Sequence, residues 1–394
     1  ILLSPILNLR LCPLSSERIG EFTNELETYF KKKKIIKKNL DIFFTPNFIS
    51  NKFYLYLVKK KIIIVNGFIV FPIYKIFFKL SKFINYFDKF LIDISFDKQV
   101  LSQININFSE GEPIIELPKE YLDKGESFLK KIGISNSDKI ILLYVRDSSY
   151  LKKTFPNKDF SYHDFRDSDV ENYVEAINYA TSKGYYVFRM GAIVEKSLNL
   201  ENKKFIDYAS NYRTEFLDVY MGQRCSFLFG TPAGYDSIPA LTFRKPILST
   251  DCCPLFPILF SARSKMLYSL KHYYSIEKKK KLSIKEIFDL NISDVIGFEL
   301  KKKNIQLIEN SSLELKESIK EMINSFELNF KYSNEDLELR EKFNKIISNC
   351  FVKYLSQNEK KLNNSELNTL ISNKNLIKSK ISISFLKKNT YLLR

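Results

Sequence analysis

Residues Ile140 to Gly191 read IILLYVRDSSYLKKTFPNKDFSYHDFRDSDVENYVEAINYATSKGYYVFRMG. The order is apolar run, charged loop, amphipathic run, glycine, second apolar run. Ile140–Val145 is short and continuous, as a strand buried on both faces should be. Arg146 and Asp147 follow at once, where a parallel strand delivers functional groups to the rim of an α/β sheet. The loop then gathers Tyr150, Tyr162, His163, Asp164, Arg166 and Asp167. Ser168 with Glu171 fits a capping box. Val170, Tyr173, Val174, Ile177 and Ala180 share one helical face. Lys183 and Gly184 end that helix, and Tyr185–Met190 reads as the next strand, carrying Arg189 and followed by Gly191. This is a βαβ unit with charge crowded at its carboxyl edge, the pattern of an enzyme's active-site half.

Working outward, alternating β and α elements predict parallel sheets with right-handed crossovers, an α/β fold of two domains. Towards the amino terminus, strands are expected at Ile6–Leu14, Asp41–Thr45 and Ile62–Val65. Helices are expected at Glu21–Lys34, near Asn51–Lys59 and at Ile73–Phe87. A polar, proline-containing stretch from Ile104 to Pro118 marks the expected boundary. A helix at Lys119–Ile132 then opens the second series. That series continues with strands at Phe205–Ala209, Ser226–Gly230 and Pro246–Ser249, and helices at Thr214–Arg224 and near Asp236–Phe243. Beyond Cys253 only helices are legible, at Leu282–Leu290, Leu313–Ser325 and Glu335–Leu355. Gln357–Lys380 reads as irregular and Ile381–Leu393 as a closing helix. The expected domains are 1–110, 119–330 and a helical tail, 331–394.

With 394 residues, 45% hydrophobic and 14% aromatic, the chain can bury two cores and is not disordered. Its net charge of +17 suits an anionic membrane surface or phosphorylated substrates. Nucleic acid is not an expected partner, because no zinc or aromatic recognition motif accompanies the charge. Lysine clusters such as Lys31–Lys34 and Lys278–Lys281 read as solvated surface. Five cysteines without a C-x-x-C pair exclude a disulfide framework and a zinc site, and imply a reducing, cytoplasmic setting. Ile62–Phe78 is the most apolar stretch, but Asn66, Gly67, Pro72 and Lys75 break it. It reads as strand, turn and helix, not a membrane span.

Two loops could carry chemistry. Gly230–Asp236, GTPAGYD, joins an apolar strand to a helix start whose unpaired N–H groups suit a phosphate. Thr231, Gly234 and Asp236 are therefore candidate donor-binding residues, although small residues also serve simply to turn the chain. In the other loop the forked guanidinium of Arg146 suits a diphosphate. Arg189 suits one too, or an ion pair with a nearby aspartate. His163 could take a proton from a hydroxyl, with Asp164 or Asp147 orienting it or serving as base. His272 has no adjacent carboxylate and reads as structural. Asp167 and Asp169 match the D-x-D pattern of metal-dependent sugar transfer, but both flank a helix start, where the dipole favours them, so capping is the better reading. No metal site is expected.

The VRDSSY of 145–150, the SYHDFRDSD of 161–169 and the GYYVFRMG of 184–191 resemble a family of bacterial glycosyltransferases associated with surface polysaccharide synthesis. IDYA at 206–209, FLDVYMG at 216–222, GYDSIP at 234–239, RKPI at 244–247, RIGE at 18–21 and FLKKNTYLL at 385–393 are similar too. The likeness runs through nearly the whole chain, and YHDFRDSD is its most specific part. Tyr144 is a departure, since the family usually has histidine before V-R-D. The resemblance implies two Rossmann-like domains facing a cleft, the GT-B arrangement. It implies a nucleotide-sugar donor held mainly by the carboxyl-terminal half, where Arg146, Arg189, Gly191, Thr231, Gly234 and Asp236 are the candidate donor-binding residues, and a glycan or lipid-linked acceptor. No cofactor besides the donor is implied, and peripheral association with an anionic inner membrane would fit such an acceptor. The alternatives are a sugar-nucleotide epimerase or hydrolase on the same scaffold, or a catalytically silent glycan-binding protein, which Tyr144 keeps open.

Overall fold

The apolar runs of the amino-terminal part pair as β1 (Asn8–Pro13), β2 (Asn39–Thr45) and β3 (Ile63–Asn66), a three-stranded parallel sheet in that order. This computed structural model describes residues 8–33, 39–45, 48–92, 94, 108–255, 263, 265–295, 297–357 and 377–394. Leu11 lies opposite Ile42, and Phe43 opposite Ile64. Helix α1 (Ile19–Lys33) crosses from β1 to β2 and buries Phe22, Leu26, Tyr29 and Phe30, one stripe at helical spacing. Helix α2 (Lys52–Lys59) is capped by Asn51, whose Oδ1 accepts from the Tyr54 amide at 2.7 Å. Helix α3 (Gly67–Ser81) begins at Gly67 rather than at Ile73. The Asn66 side chain caps it, accepting from the Phe68 amide at 2.9 Å, and Pro72 is carried inside the helix.

The chain divides into two compact units, and it passes between them more than once. The first holds Ile1–Asn136, Thr214–Arg224 and Ala233–Lys245. The break expected between 110 and 119 therefore falls inside this unit, and so do two segments assigned from the sequence to the second domain. The reason is an aromatic seam. Phe53 of α2, Tyr121 of the helix Lys119–Lys131 and Phe216 of the helix Glu215–Arg224 meet with ring centroids 4.7, 5.2 and 5.5 Å apart. Tyr220 donates to the Glu126 carboxylate at 2.7 Å. The segment 233–245 is tied down by a buried pair, Arg244 to Glu27 at 2.7 Å, and by Tyr54 against the Thr242 hydroxyl at 3.2 Å.

The second unit, Ser137–Arg213, Cys225–Pro232 and Pro246–Arg394, is built on a seven-stranded, wholly parallel sheet. Its strands are β4 (Ile140–Tyr144), β5 (Tyr186–Arg189), β6 (Phe205–Ile206), β7 (Phe227–Gly230), β8 (Ile247–Cys252), β9 (Met266–Leu270) and β13 (Lys380–Ile381). Their order is β13-β9-β8-β7-β4-β5-β6. From β4 the chain winds outward through β5 to β6, then returns to β7 on the other side of β4. The winding reverses between β4 and β7. Ile141, Leu143, Phe227 and Phe229 pack in one core cluster with Tyr173 and Ile177 before and in the helix Val174–Ser182, and with Leu315 and Ile319 of the helix Ser312–Asn324.

Several expectations shift in detail. The helix after the charged loop is capped by Asp169, not Ser168: its Oδ1 accepts from the Glu171 amide at 3.1 Å, and a 3-10 turn, Val170–Tyr173, precedes the α-helix. Ser168 is instead drawn towards β4, its amide donating to the Arg146 carbonyl at 3.1 Å. The helix expected near Asp236–Phe243 is a 3-10 turn, Gly234–Asp236, followed by one π turn, Ile238–Thr242. Strand β9 and the small antiparallel sheet of β10 (His272–Ser275), β11 (Lys280–Lys281) and β12 (Ile305–Ile308) were not legible in the sequence. The expected helical tail belongs to the second unit, where β13 extends the sheet beside β9. Ile6, Leu7 and most of Gln357–Lys380 lie outside the described residues. Among the described residues no helix is long and apolar enough to cross a membrane.

Candidate active site

In an open parallel sheet the carboxyl ends of two strands diverge where the winding reverses, and ligands bind in that crevice. Here the strands are β4 and β7, and the residues just beyond them are Arg146 and Thr231. The Arg146 amide donates to the Thr231 hydroxyl at 2.7 Å, and the Thr231 amide donates to the Tyr144 carbonyl at 2.9 Å. The loops after β4 and β7 are thus locked together at their roots. Gly230 makes the lock possible. It has φ +140°, and a Cβ there would lie 1.9 Å from the Tyr144 carbonyl oxygen.

Arg146 is 6% exposed, in polar surroundings rather than in the apolar core. One amino nitrogen, Nη1, pairs with Asp167 and donates to the His163 carbonyl at 3.1 Å. The other, Nη2, has no acceptor among the described residues. Burial lowers this guanidinium from its ordinary pKa, and the charges of Tyr144, Asp164 and Asp147 act against that shift. A buried fork with one nitrogen unmatched can take a further anionic oxygen.

The aspartates divide by what they bind. Asp147 accepts from the Ser149 amide at 2.9 Å and the Glu195 amide at 3.0 Å, so both oxygens pin loops. Asp164 is half-buried, close enough for its charge to act on Arg146. Asp167 pairs with Arg146, and Asp169 caps its turn while pairing with Lys196 at 3.2 Å. Among the described residues no group of three or more His, Cys, Asp or Glu gathers as metal ligands. The His163 ring meets Tyr162 at a 42° tilt with centroids 4.0 Å apart, and lies parallel to Phe160 at 6.4 Å.

Arg189 is 2% exposed and committed to structure, donating to the Lys196 carbonyl at 2.6 Å and to Asp207 at 3.4 Å. Gly191 lies just past β5, against Val194 and Ala209. The loop after β7 leaves the second unit at Pro232 and enters the first at Ala233. Gly234 and Asp236 therefore belong with α1. Gly234 packs on Gly20 at the start of that helix, and Ser237 bonds to Thr23.

Sequence reasoning missed a second buried cation. Lys271, 4% exposed, directly follows β9 and donates to the carbonyls of Asp167 and, at 3.3 Å, Phe165. Arg146 and Lys271 therefore grip alternate carbonyls of the 161–167 segment, those of His163, Phe165 and Asp167. Beside Lys271, Asp251 accepts from the Asn310 amide at 2.6 Å and the Tyr173 hydroxyl at 3.1 Å. Burial pushes the Asp251 carboxyl up to about 6, against the pull of Lys271 and the Asn310 amide. The missed signal was the one that marked Arg146, a cation immediately after an apolar strand, in MLYSLK at 266–271.

Fold and site together define an α/β protein of two parallel-sheet, Rossmann-like units, with buried cations at the carboxyl edge of the larger sheet. No family model matches the sequence, and no curated protein does. Two of the solved structures similar to the chain are glycosyltransferases. One is a glycosyl transferase family 9 protein from Veillonella parvula DSM 2008, with 11% identity, 66% of this chain and 86% of that one covered, and a TM-score of 0.44. The other is ADP-heptose lps heptosyltransferase II of E. coli, with 11% identity, 66% and 90% covered, and a TM-score of 0.39.

Proposed function

We propose that the chain is a metal-independent glycosyltransferase. It moves a sugar from a nucleotide-diphosphate donor to a hydroxyl of a surface glycan or its lipid-linked precursor. The observation that carries this reading is Arg146: a buried guanidinium at the point where the winding reverses, with Nη2 short of an acceptor. The YHDFRDSD motif supports it, because that stretch forms the loop whose carbonyls Arg146 and Lys271 hold. In the reaction, the bond between the anomeric carbon and the diphosphate oxygen breaks, and its electron pair leaves with the diphosphate. The acceptor oxygen bonds to that carbon and its proton passes to a base. Arg146 Nη2 meets the charge growing on the leaving group, the electrostatic work a metal does elsewhere. His163 takes the proton, with Asp164 beside it. Asp147, Thr231 and Lys271 position the loops.

The test is thermal stabilisation by a panel of uridine, adenosine, guanosine and cytidine diphosphate sugars, followed by transfer assays with the stabilising donor. Ligand binding to the native state raises the melting temperature, so one donor class should shift it. Transfer should persist in excess chelator. Absence of any shift ends the proposal. Donor turnover without acceptor assigns the chain to hydrolysis or epimerisation instead.

A further inference from the structure

The first unit carries a surface that a protein facing only water does not need. In α3 Phe68 is 86% exposed, Ile69 71% and Ile76 57%, and in the following turn Phe83 is 86% exposed. Val70, Tyr74 and Phe77 are better covered. Tyr74 meets Phe44 with ring centroids 5.4 Å apart, and Phe77 meets Phe90 at 5.4 Å. The helix is thus held to its sheet by one apolar stripe and shows a second one outward. Single exposed hydrophobics are ordinary, but a contiguous set on one helix marks a contact surface.

Charge identifies the partner. From Lys59 to Phe87 there is no Asp or Glu, while lysines stand at 59, 60, 61, 75, 79 and 82. Lys75, Lys79 and Lys82 are exposed among the apolar side chains. Two of them lie over rings that flank this face, Lys75 at 4.4 Å from the Phe71 centroid and Lys82 at 5.1 Å from that of Phe78. Such stems lie along apolar surface while their ammonium groups reach outward. The helix is about 22 Å long at 1.5 Å per residue, too short to span a bilayer of about 30 Å. A second copy of the chain is the poorer partner, because a two-fold contact would set these lysines against their equivalents.

We propose that α3 and the turn after it dock the protein on an anionic phospholipid bilayer. Phe68, Ile69, Ile76 and Phe83 enter the boundary between headgroups and acyl chains, and Lys75, Lys79 and Lys82 pair with lipid phosphates. The inference needs no donor and stands apart from the catalytic reading.

Flotation of the full chain with vesicles tests it. Phosphatidylcholine vesicles containing roughly 30% phosphatidylglycerol should carry the protein, and pure phosphatidylcholine should carry it more than about tenfold less well. The variant Phe68→Ser/Ile69→Ser/Phe83→Ser should lose vesicle binding, and Lys75→Glu/Lys79→Glu/Lys82→Glu should lose it too. Both should keep the parent melting temperature, since every changed side chain is exposed. The proposal is overturned if anionic vesicles do not carry the parent protein, or if the serine variant binds as well as the parent. It is equally overturned if the face instead supports a concentration-dependent dimer, seen by sedimentation without lipid, that the serine variant abolishes.

Discussion

Gly20 and Gly234, far apart in the chain, are pressed together: a Cβ on Gly20 would lie 2.6 Å from the Gly234 Cα. The obstacle is backbone, which cannot swing aside as a side chain can. The same contact is backed by the buried Thr23–Ser237 hydrogen bond one turn along α1. Gly20→Ala should therefore cost about 1–3 kcal/mol in denaturant unfolding, the range of an overpacked site. Gly234→Ala should cost less, because a Cβ there would meet its nearest atom at 3.1 Å. Equal, negligible effects would mean that the two segments do not abut.

Thr231 acts at the root of the site through one hydrogen bond to the Arg146 amide. Thr231→Val keeps the shape but leaves that buried N–H unsatisfied, at a cost of about 1–3 kcal/mol. Thr231→Ser should restore most of the loss. If valine and serine behave alike in thermal melts, the hydroxyl is not what joins the two loops.

Arg146→Lys separates charge from geometry. Lysine keeps the cation but cannot serve Asp167, the His163 carbonyl and a diphosphate oxygen from one planar fork. Turnover should fall on the order of 100-fold or more while the circular dichroism spectrum is unchanged. Near-parental turnover would remove Arg146 from the chemistry.

On the proposed function Lys271 positions the 161–167 loop, and its substitution separates positioning from bulk stability. Lys271→Met keeps length and burial but releases the Phe165 and Asp167 carbonyls. It also removes the cation that opposes burial at Asp251, so the Asp251 carboxyl should rise further above about 6. The expected result is a higher KM for donor with a smaller change in kcat, and a stability deficit relative to the parent that grows as pH rises from about 4 through about 6, because a carboxyl raised in the folded state costs stability once the unfolded one ionises. A uniform loss of stability at every pH, with KM unchanged, would make Lys271 merely structural.

What the sequence disclosed follows from how each feature is encoded. β4, β5 and β7 announce themselves as continuous apolar runs closed by charge or glycine, and the helix between β4 and β5 by its 3.6-residue stripe. β9 and β10 do not, because MLYSLKHYYS mixes serine, lysine and histidine into a buried run. Ser269 and His272 are satisfied by Asn310, Glu314 and Tyr391, which no local pattern reveals. The unit boundary was hidden for the same reason, since a seam of Phe53, Tyr121 and Phe216 is a tertiary fact. Within the site, Arg146 was legible from its place after a strand. The commitment of Arg189 to Asp207 depended on a partner in another element.

The carboxyl terminus offers a pH test with a definite sign. His272 Nδ1 lies 2.7 Å from the Tyr391 hydroxyl, its Nε2 lies 3.3 Å from Glu314, and Asn389 donates to Glu314 at 2.7 Å. Burial by itself would raise the Glu314 carboxyl. The hydrogen bond and charge of His272, with the bonds from Asn389 and the Ser311 amide, more than offset that and hold it at about 2, below its ordinary 4.5. A carboxylate depressed in the folded state contributes stability that is fully present above its unfolded pKa and is lost as pH falls through the folded one. The parent protein should therefore lose stability progressively from about pH 4.5 down towards about pH 2 through this group. Glu314→Gln should be less stable than the parent near neutral pH, and the difference should shrink on acidification. Urea unfolding at neutral pH and near pH 3 reads the difference directly, and a gap that stays constant would show that Glu314 is not the group that titrates.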